Sequence, residues 1–415
     1  MSLIKKMMRR LSLTRVHRPA SKIFRLMPEG RERGRALVSM GTQLYERLQR
    51  GEPINTNHPA GWKNWNLART FLDLGFRVDV MPSVPGMKVA DKSFDVTLDV
   101  RSNLEHLDEN LKSCGVRIYF PQFGHWAFNN GGQLERHRNL LIRKGVSILP
   151  FRLIQPSNSV EIADHIVSPG GTFSASAFRH SKATYHQIQQ APPNARIQFI
   201  DREFEAERTH FVWLGGAGAV HKGLDLCLEA FAKLPSLHLH ICGALSSESS
   251  FMEAYRSELE SLDNIHYHGW TDTLSEQWVS IVRSAGFVIL HSASEVAATS
   301  PVAGMFTGLI PLVNSGADQD YPDCSITIPG NTVGELVSVL KEVSGMDPSK
   351  LRARSRIAFE QATARSTQDN FMSSLRRSLC DALEMEAPSN WRLDDLPGMR
   401  PTSMPKIVEV TREYL

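Results

Sequence analysis

Two short stretches of the chain carry residue types that could act on a charged or hydroxyl-rich ligand. The first, Phe211 to Phe231, reads FVWLGGAGAVHKGLDLCLEAF. Phe211–Leu214 is an apolar strand. Gly215, Gly216 and Gly218 form a turn, His221-Lys222-Gly223 follows, and the apolar spacing from Leu224 onward predicts a mostly buried helix. Glycines let the backbone approach an anion closely. A helix N-terminus offers unpaired N–H groups and partial positive charge, and Lys222 adds a full charge. This layout suits a phosphate, though a tight strand-to-helix turn in any α/β protein would look the same. Two better-known phosphate motifs do not fit. The Walker pattern Gly-x-x-x-x-Gly-Lys-Ser/Thr fails because Gly218 stands too close to Lys222 and Gly223 replaces the hydroxyl. The dinucleotide pattern Gly-x-Gly-x-x-Gly would need glycine where His221 stands, which disfavours an NAD(P) oxidoreductase.

The second stretch, residues 291–313, reads HSASEVAATSPVAGMFTGLIPLV. Ser300 suits an N-cap and Pro301 a first helical residue, so another helix N-terminus is expected there. Glu295 lies just before it. A carboxylate in that place binds sugar hydroxyls or is a solvated loop residue. Elsewhere, His125 sits in the glycine- and asparagine-rich loop PQFGHWAFNNGG, and Gly61, Trp62 and Trp65 in HPAGWKNW. Tryptophans there either stack on a sugar or pack beside a turn. Asp318-Gln319-Asp320 is a DxD triplet that follows no apolar strand directly, and reads as a solvated loop. His238/His240 and His266/His268 each point to one face of a strand. With no third ligand evident, they read as sheet-face packing and not as a metal site.

Taken together, these motifs resemble the group 1 family of retaining glycosyltransferases of the GT-B fold. Lys222 and Gly223 match its Lys-Gly turn, while Gly216 stands where the family often has arginine. Its Ser-x-x-Glu … Glu-Ala-Met-x-x-Gly-x-Pro pattern is kept at Glu295, Met305, Gly308 and Pro311, with one extra residue before the proline. The second glutamate falls at Ala303. The resemblance covers about Ile54 to Glu384. It implies a nucleotide-sugar donor held by Gly215, Gly216, Gly218, His221, Gly223, Ser300, Val302 and Ala303, with catalytic roles for Lys222, Glu295 and His125. His125 would reach the donor sugar, and Gly61 and Trp62 would line the acceptor side. The implied reaction moves a hexose to an acceptor hydroxyl of a glycan or glycolipid, with retention and without metal or other cofactor. The alternative is a catalytically weak relative that binds nucleotide sugar or glycan as a partner or regulator.

The elements that must position these residues alternate strand and helix along the chain, as in an α/β protein. The expected fold class is α/β, with two Rossmann-like domains facing each other across a cleft. Residues 1–50 read as a basic extension with a surface helix over Gly34–Arg50. Residues 51–200 read as the acceptor domain, opened by a short strand at 53–58, and 206–365 as the nucleotide-sugar domain. A returning helix is expected over 366–386 and an irregular appendix over 387–415.

At 415 residues the chain is too long for one ordinary core. Its five cysteines are scattered without a CxxC pair, which suggests reduced thiols in a cytoplasm. The net charge of +3 conceals an asymmetry: residues 1–35 hold eleven Lys/Arg against two acids, so the other 380 residues sum to −6. The basic character belongs to a tail, which argues against a nucleic-acid-binding fold. Leu3, Ile4, Met7, Met8 and Leu11 share one helical face there. The tail therefore reads as an interfacial helix on an anionic membrane's inner face, a helix docked on the protein, or a disordered basic arm.

Overall fold

The computed structural model describes residues 22–52, 59–84, 92–386 and 405–411. The apolar face of the tail and the strand expected at 53–58 lie outside the described residues. In chain order, β1 is Phe24–Leu26, β2 Gly34–Ser39, β3 Phe76–Met81, β4 Ser93–Asp99, β5 Ser113–Tyr119, β6 His165–Ser168 and β7 Thr184–Gln187. Then come β8 His210–Leu214, β9 His238–Cys242, β10 Ile265–Gly269, β11 Phe287–Leu290, β12 Ile310–Val313, β13 Ile326–Thr327 and β14 Ile407–Glu409. Two sheets result, ordered β14-β1-β3-β2-β4-β5-β6-β7 and β10-β9-β8-β11-β12-β13. All pairings are parallel except those of β1 with β3 and β14.

Each sheet is built from apolar runs such as Ala36–Val38 and Phe287–Leu290, buried on both faces, as parallel strands under helices must be. The run at Ala36–Val38 corrects the helix expected over Gly34–Arg50. It forms the buried strand β2, and only Gln43–Gln49 is helical. The appendix is likewise not wholly irregular, since β14 pairs with β1 at the sheet edge.

Two helices tie the sheets together. Gln368–Ala382 buries Phe371, Leu375 and Leu379 in the first domain's core beside Trp62. Trp126–Lys144 leaves β5 and lies along the second domain, where Leu140 enters the core around β8. Its Arg143 pairs with Asp225 at 2.7 Å and Glu229 at 3.0 Å. Asp225 is wholly buried, so breaking this pair would strand a buried carboxylate.

The seam is also closed by Asp318 and Asp320. Asp318 accepts from Gly171 N at 2.9 Å, Ser174 N at 3.2 Å, Ala297 N at 3.1 Å and the Ser174 hydroxyl. Asp320 accepts from Thr172 N at 2.8 Å and Thr172 Oγ1 at 3.0 Å. The DxD triplet is therefore not a solvated loop: its carboxylates, from the second domain, cap the first turn of the helix Thr172–Phe178 in the first domain.

Candidate functional site

Strands β8 and β11 are parallel neighbours, so the turn after one and the loop after the other emerge side by side. Gly223, at φ +69°, caps the helix Leu224–Phe231, and a Cβ there would come 2.2 Å from the His291 carbonyl oxygen. Glycine at that position lets the two segments touch. Lys222 and Glu295 then meet, with Nζ 2.5 Å from Oε1. The Ser292 hydroxyl donates to the same oxygen at 3.1 Å, and Arg152 Nη2 stands 3.5 Å from Oε2.

Burial pushes Lys222 below its ordinary range, opposed by Glu295. Burial alone would raise Glu295, but Lys222 and Arg152 together hold it well below the usual carboxylate range. The short Nζ–Oε1 contact is that of an ion pair. Lys63, on the helix Pro59–Asp73, feels the same carboxylate, although burial pushes it down to about 8.

His221 lies beside the pair and is 1 % exposed. Its Nε2 is 2.8 Å from the Ser294 carbonyl oxygen, so Nε2 carries the proton. Burial lowers its pKa, so it stays a neutral imidazole and supplies no charge to an anion.

The glycine turn differs in part from the expected anion cradle. Gly218 N and Ala219 N donate to the Glu248 carboxylate at 2.7 and 3.0 Å. The turn does bind an anion, but that anion belongs to the protein. Gly215 is packed on the Trp213 ring, whereas nothing lies within 4 Å of a Cβ at Gly216, which faces open space. The helix after β11 runs Thr299–Met305 with Ala298 as its N-cap, so Ser300 is inside the helix and does not cap it. Val302 is fully buried against Met305 and Phe306, and Ala303 is 4 % exposed. Their side chains offer no polar group to a ligand.

Two residues on the first-domain side take roles other than those expected. Trp62 is 0 % exposed, and its ring lies 4.7 Å from that of Phe371. It packs and does not stack on a sugar. His125 caps the helix Trp126–Lys144 by accepting from Ala127 N at 3.3 Å, with its ring against Phe178 and His180. Its Nε2 faces Glu161, 3.8 Å away. Gly61 lines a cleft of about 480 Å³ with Gly41, Asn64, Arg47 and Arg101. Its lining comes from the first domain.

One set of groups among the described residues has three metal-type ligand atoms within 4.8 Å of one another: His125, Glu161 and His180. The capping bond to His125 Nδ1 places the ring proton on Nε2, the atom that would have to ligate. The His-x-His pairs of β9 and β10 do find company, since His210 on β8 joins them. Nδ1–Nε2 separations are 3.1 Å for His210/His240, 3.2 Å for His238/His266 and 3.1 Å for His240/His268.

The group that sequence reasoning missed is Arg152, in the irregular segment after the helix Trp126–Lys144. Its backbone is pinned to that helix by Gln133 and Asn129. The amides of NNGGQ, spaced to share a helical face, were the available signal.

No protein-family model matches the chain, and no curated protein matches it. Among solved structures, the chain is similar to a sucrose-phosphate synthase from Thermosynechococcus elongatus. The two are 13 % identical over 84 % of this chain and 99 % of that one, with a TM-score of 0.54. It is also similar to the HepE protein of Anabaena in complex with UDP and glucose, at 10 % identity over 84 % and 98 % of the two chains, with a TM-score of 0.51. With its two parallel sheets, the helix returning from the second domain to the first, and these likenesses over nearly the whole of each neighbour, the chain has the GT-B fold.

Proposed function

We propose that the protein is a glycosyltransferase that moves a hexose from a nucleotide sugar to an acceptor hydroxyl with retention. The observation that carries this reading is the Lys222–Glu295 ion pair at the adjoining ends of β8 and β11, facing the first domain across the seam. Fold likeness supports the class only by analogy; the neighbour bound to UDP and glucose fits the same donor chemistry.

In the reaction the bond from the anomeric carbon to the diphosphate oxygen breaks, and the diphosphate leaves with the electron pair. Lys222 has three N–H donors and uses one on Glu295, so two remain for the leaving oxygens. Glu295, held ionised, accepts from sugar hydroxyls. The acceptor oxygen attacks from the side the diphosphate vacates, and its proton passes to that diphosphate. The cationic groups present carry the charge, so the reading asks for no metal. The cleft beside Gly61, with Arg47 and Arg101, is where an acceptor would enter.

Release of nucleoside diphosphate from a panel of donors and glycan or lipid-linked acceptors tests this. Lys222→Ala should cost roughly 2–4 kcal/mol in turnover, as loss of one preorganised donor does. Glu295→Gln should lower turnover while nucleoside diphosphate still binds. Near-normal turnover in Lys222→Ala would remove the assignment. Binding without turnover in the wild type would favour the second reading, a nucleotide-sugar-binding partner. That reading draws on the buried apolar Val302 and Ala303 and on the Glu248 carboxylate in the glycine turn.

A further inference from the structure

We propose that Arg152, from the first domain, is a diphosphate-binding residue of this site and couples ligand binding to closure of the seam. This rests on the donor-binding reading above and adds to it a residue from the opposite domain.

Four observations carry it. First, Arg152 is held as an arm. Its N–H donates to Gln133 Oε1 at 2.9 Å, and its carbonyl accepts from Asn129 Nδ2 at 2.9 Å. With both backbone groups held, the guanidinium extends to Ala217 and Glu295 of the second domain.

Second, the glycine turn makes room for it. Gly218 has φ +96°, and a Cβ there would lie 2.5 Å from Arg152 Cδ. Glycine at 218 is therefore needed twice, for its backbone conformation and for the arginine's stem.

Third, the guanidinium lies along the turn with donors to spare. Nη1 donates to the Ala217 carbonyl at 3.3 Å, Nη2 stands 3.5 Å from Glu295 Oε2, and the buried Nε has no partner among the described residues. Gly216, next to Ala217, faces open space. A planar fork with free N–H groups beside an open glycine suits a diphosphate, which takes paired N–H donors.

Fourth, the local charge does not balance. Lys222 and Arg152 both contact Glu295 and Lys63 feels the same carboxylate, while Glu248, the other carboxylate at the turn, is taken up by Gly218 N and Ala219 N; three cations against two carboxylates leave a surplus positive charge at the seam. A diphosphate would neutralise it. Because Lys222 and Arg152 come from different domains, a ligand bound to both would draw those domains together.

The experiment measures calorimetric binding of UDP, GDP and ADP, and of the matching nucleosides, to the wild type, Arg152→Ala and Arg152→Lys. Thermal unfolding of each protein controls for folding. The expected result is a loss of ten- to hundred-fold in diphosphate affinity for Arg152→Ala, with nucleoside affinity unchanged. Arg152→Lys should recover part of the loss. Small-angle scattering should show compaction on diphosphate binding in the wild type but not in Arg152→Ala. Equal diphosphate affinity in wild type and Arg152→Ala overturns the inference and leaves the donor-binding reading standing. Equal loss for diphosphate and nucleoside overturns it in favour of a structural role. A wild type that binds no diphosphate removes the reading on which the inference rests, and the inference with it.

Discussion

The imidazole face of the second sheet makes the protein acid-sensitive, and within that face His240 is the histidine held lowest. His240 is 9 % exposed, stacked on His266 with ring centroids 4.7 Å apart and flanked by His210 and His268. Burial first, and then its histidine neighbours, push its pKa down to about 3. The same causes bring His210 down to about 4, and burial lowers His266 and His268. Glu207 beside His210 acts in the opposite sense. Unfolded, His240 takes its proton near pH 6.5; folded, it resists down to about 3. Stability is therefore unaffected above pH 6.5 and falls as pH drops from there toward 3. The slope is about 1.4 kcal/mol per pH unit for one such group. Between pH 7.5 and 4.5, His240 alone should cost about 2.6 kcal/mol by that linkage. Urea unfolding of wild type and His240→Gln at both pH values tests the effect, because titrating groups that do not touch His240 cancel in the difference. The variant should gain about 2.6 kcal/mol on the wild type as pH falls. Parallel pH profiles for the two proteins would refute the reasoning.

Two further substitutions test the seam and the core. Asp318→Asn keeps the shape of a buried group that accepts four hydrogen bonds but turns an amide N–H₂ toward donors. It should destabilise by roughly 2–4 kcal/mol and enlarge the radius of gyration, and unchanged values in both would refute the cross-domain cap. Trp62→Ala should cost about 3–5 kcal/mol in unfolding free energy. A variant of unchanged stability that had lost only acceptor affinity would restore the sugar-stacking role.

What the sequence made legible was local. The strand–glycine–Lys–Gly–helix order placed β8 and Lys222 because each element sits beside the next in the chain, and β11 and β12 are the apolar runs Phe287–Leu290 and Ile310–Val313. Glu295 was singled out from its own stretch. What joined it to Lys222 was the sheet order, in which β11 neighbours β8 although 72 residues lie between the ends of the two stretches' key side chains. Composition had nothing to say about that adjacency. One misread element shows the same limit. Gly34–Ser39 was expected within a surface helix, but the chain buries Ala36–Val38 between β3 and β4.

The same physics explains why polar residues were harder to place than apolar ones. An apolar side chain needs only burial, which periodicity forecasts, whereas a buried polar side chain needs a named partner. Asp318 finds its partners 144 and 147 residues away, at Ser174 and Gly171, in the other domain. Read alone, a loop aspartate is solvated; opposite a helix start with unpaired N–H groups, it is a cap. The five histidines follow the same rule, since His238 and His266 pair only because β9 and β10 lie side by side. Arg152 shows the rule at the site itself. Its meaning depends on Asn129 and Gln133 on one side and on Gly218 on the other, residues from two domains whose juxtaposition only the fold supplies. Gly218 can be spotted in the sequence as a turn glycine. Its second role, admitting an arginine from across the seam, is visible only when the two surfaces meet.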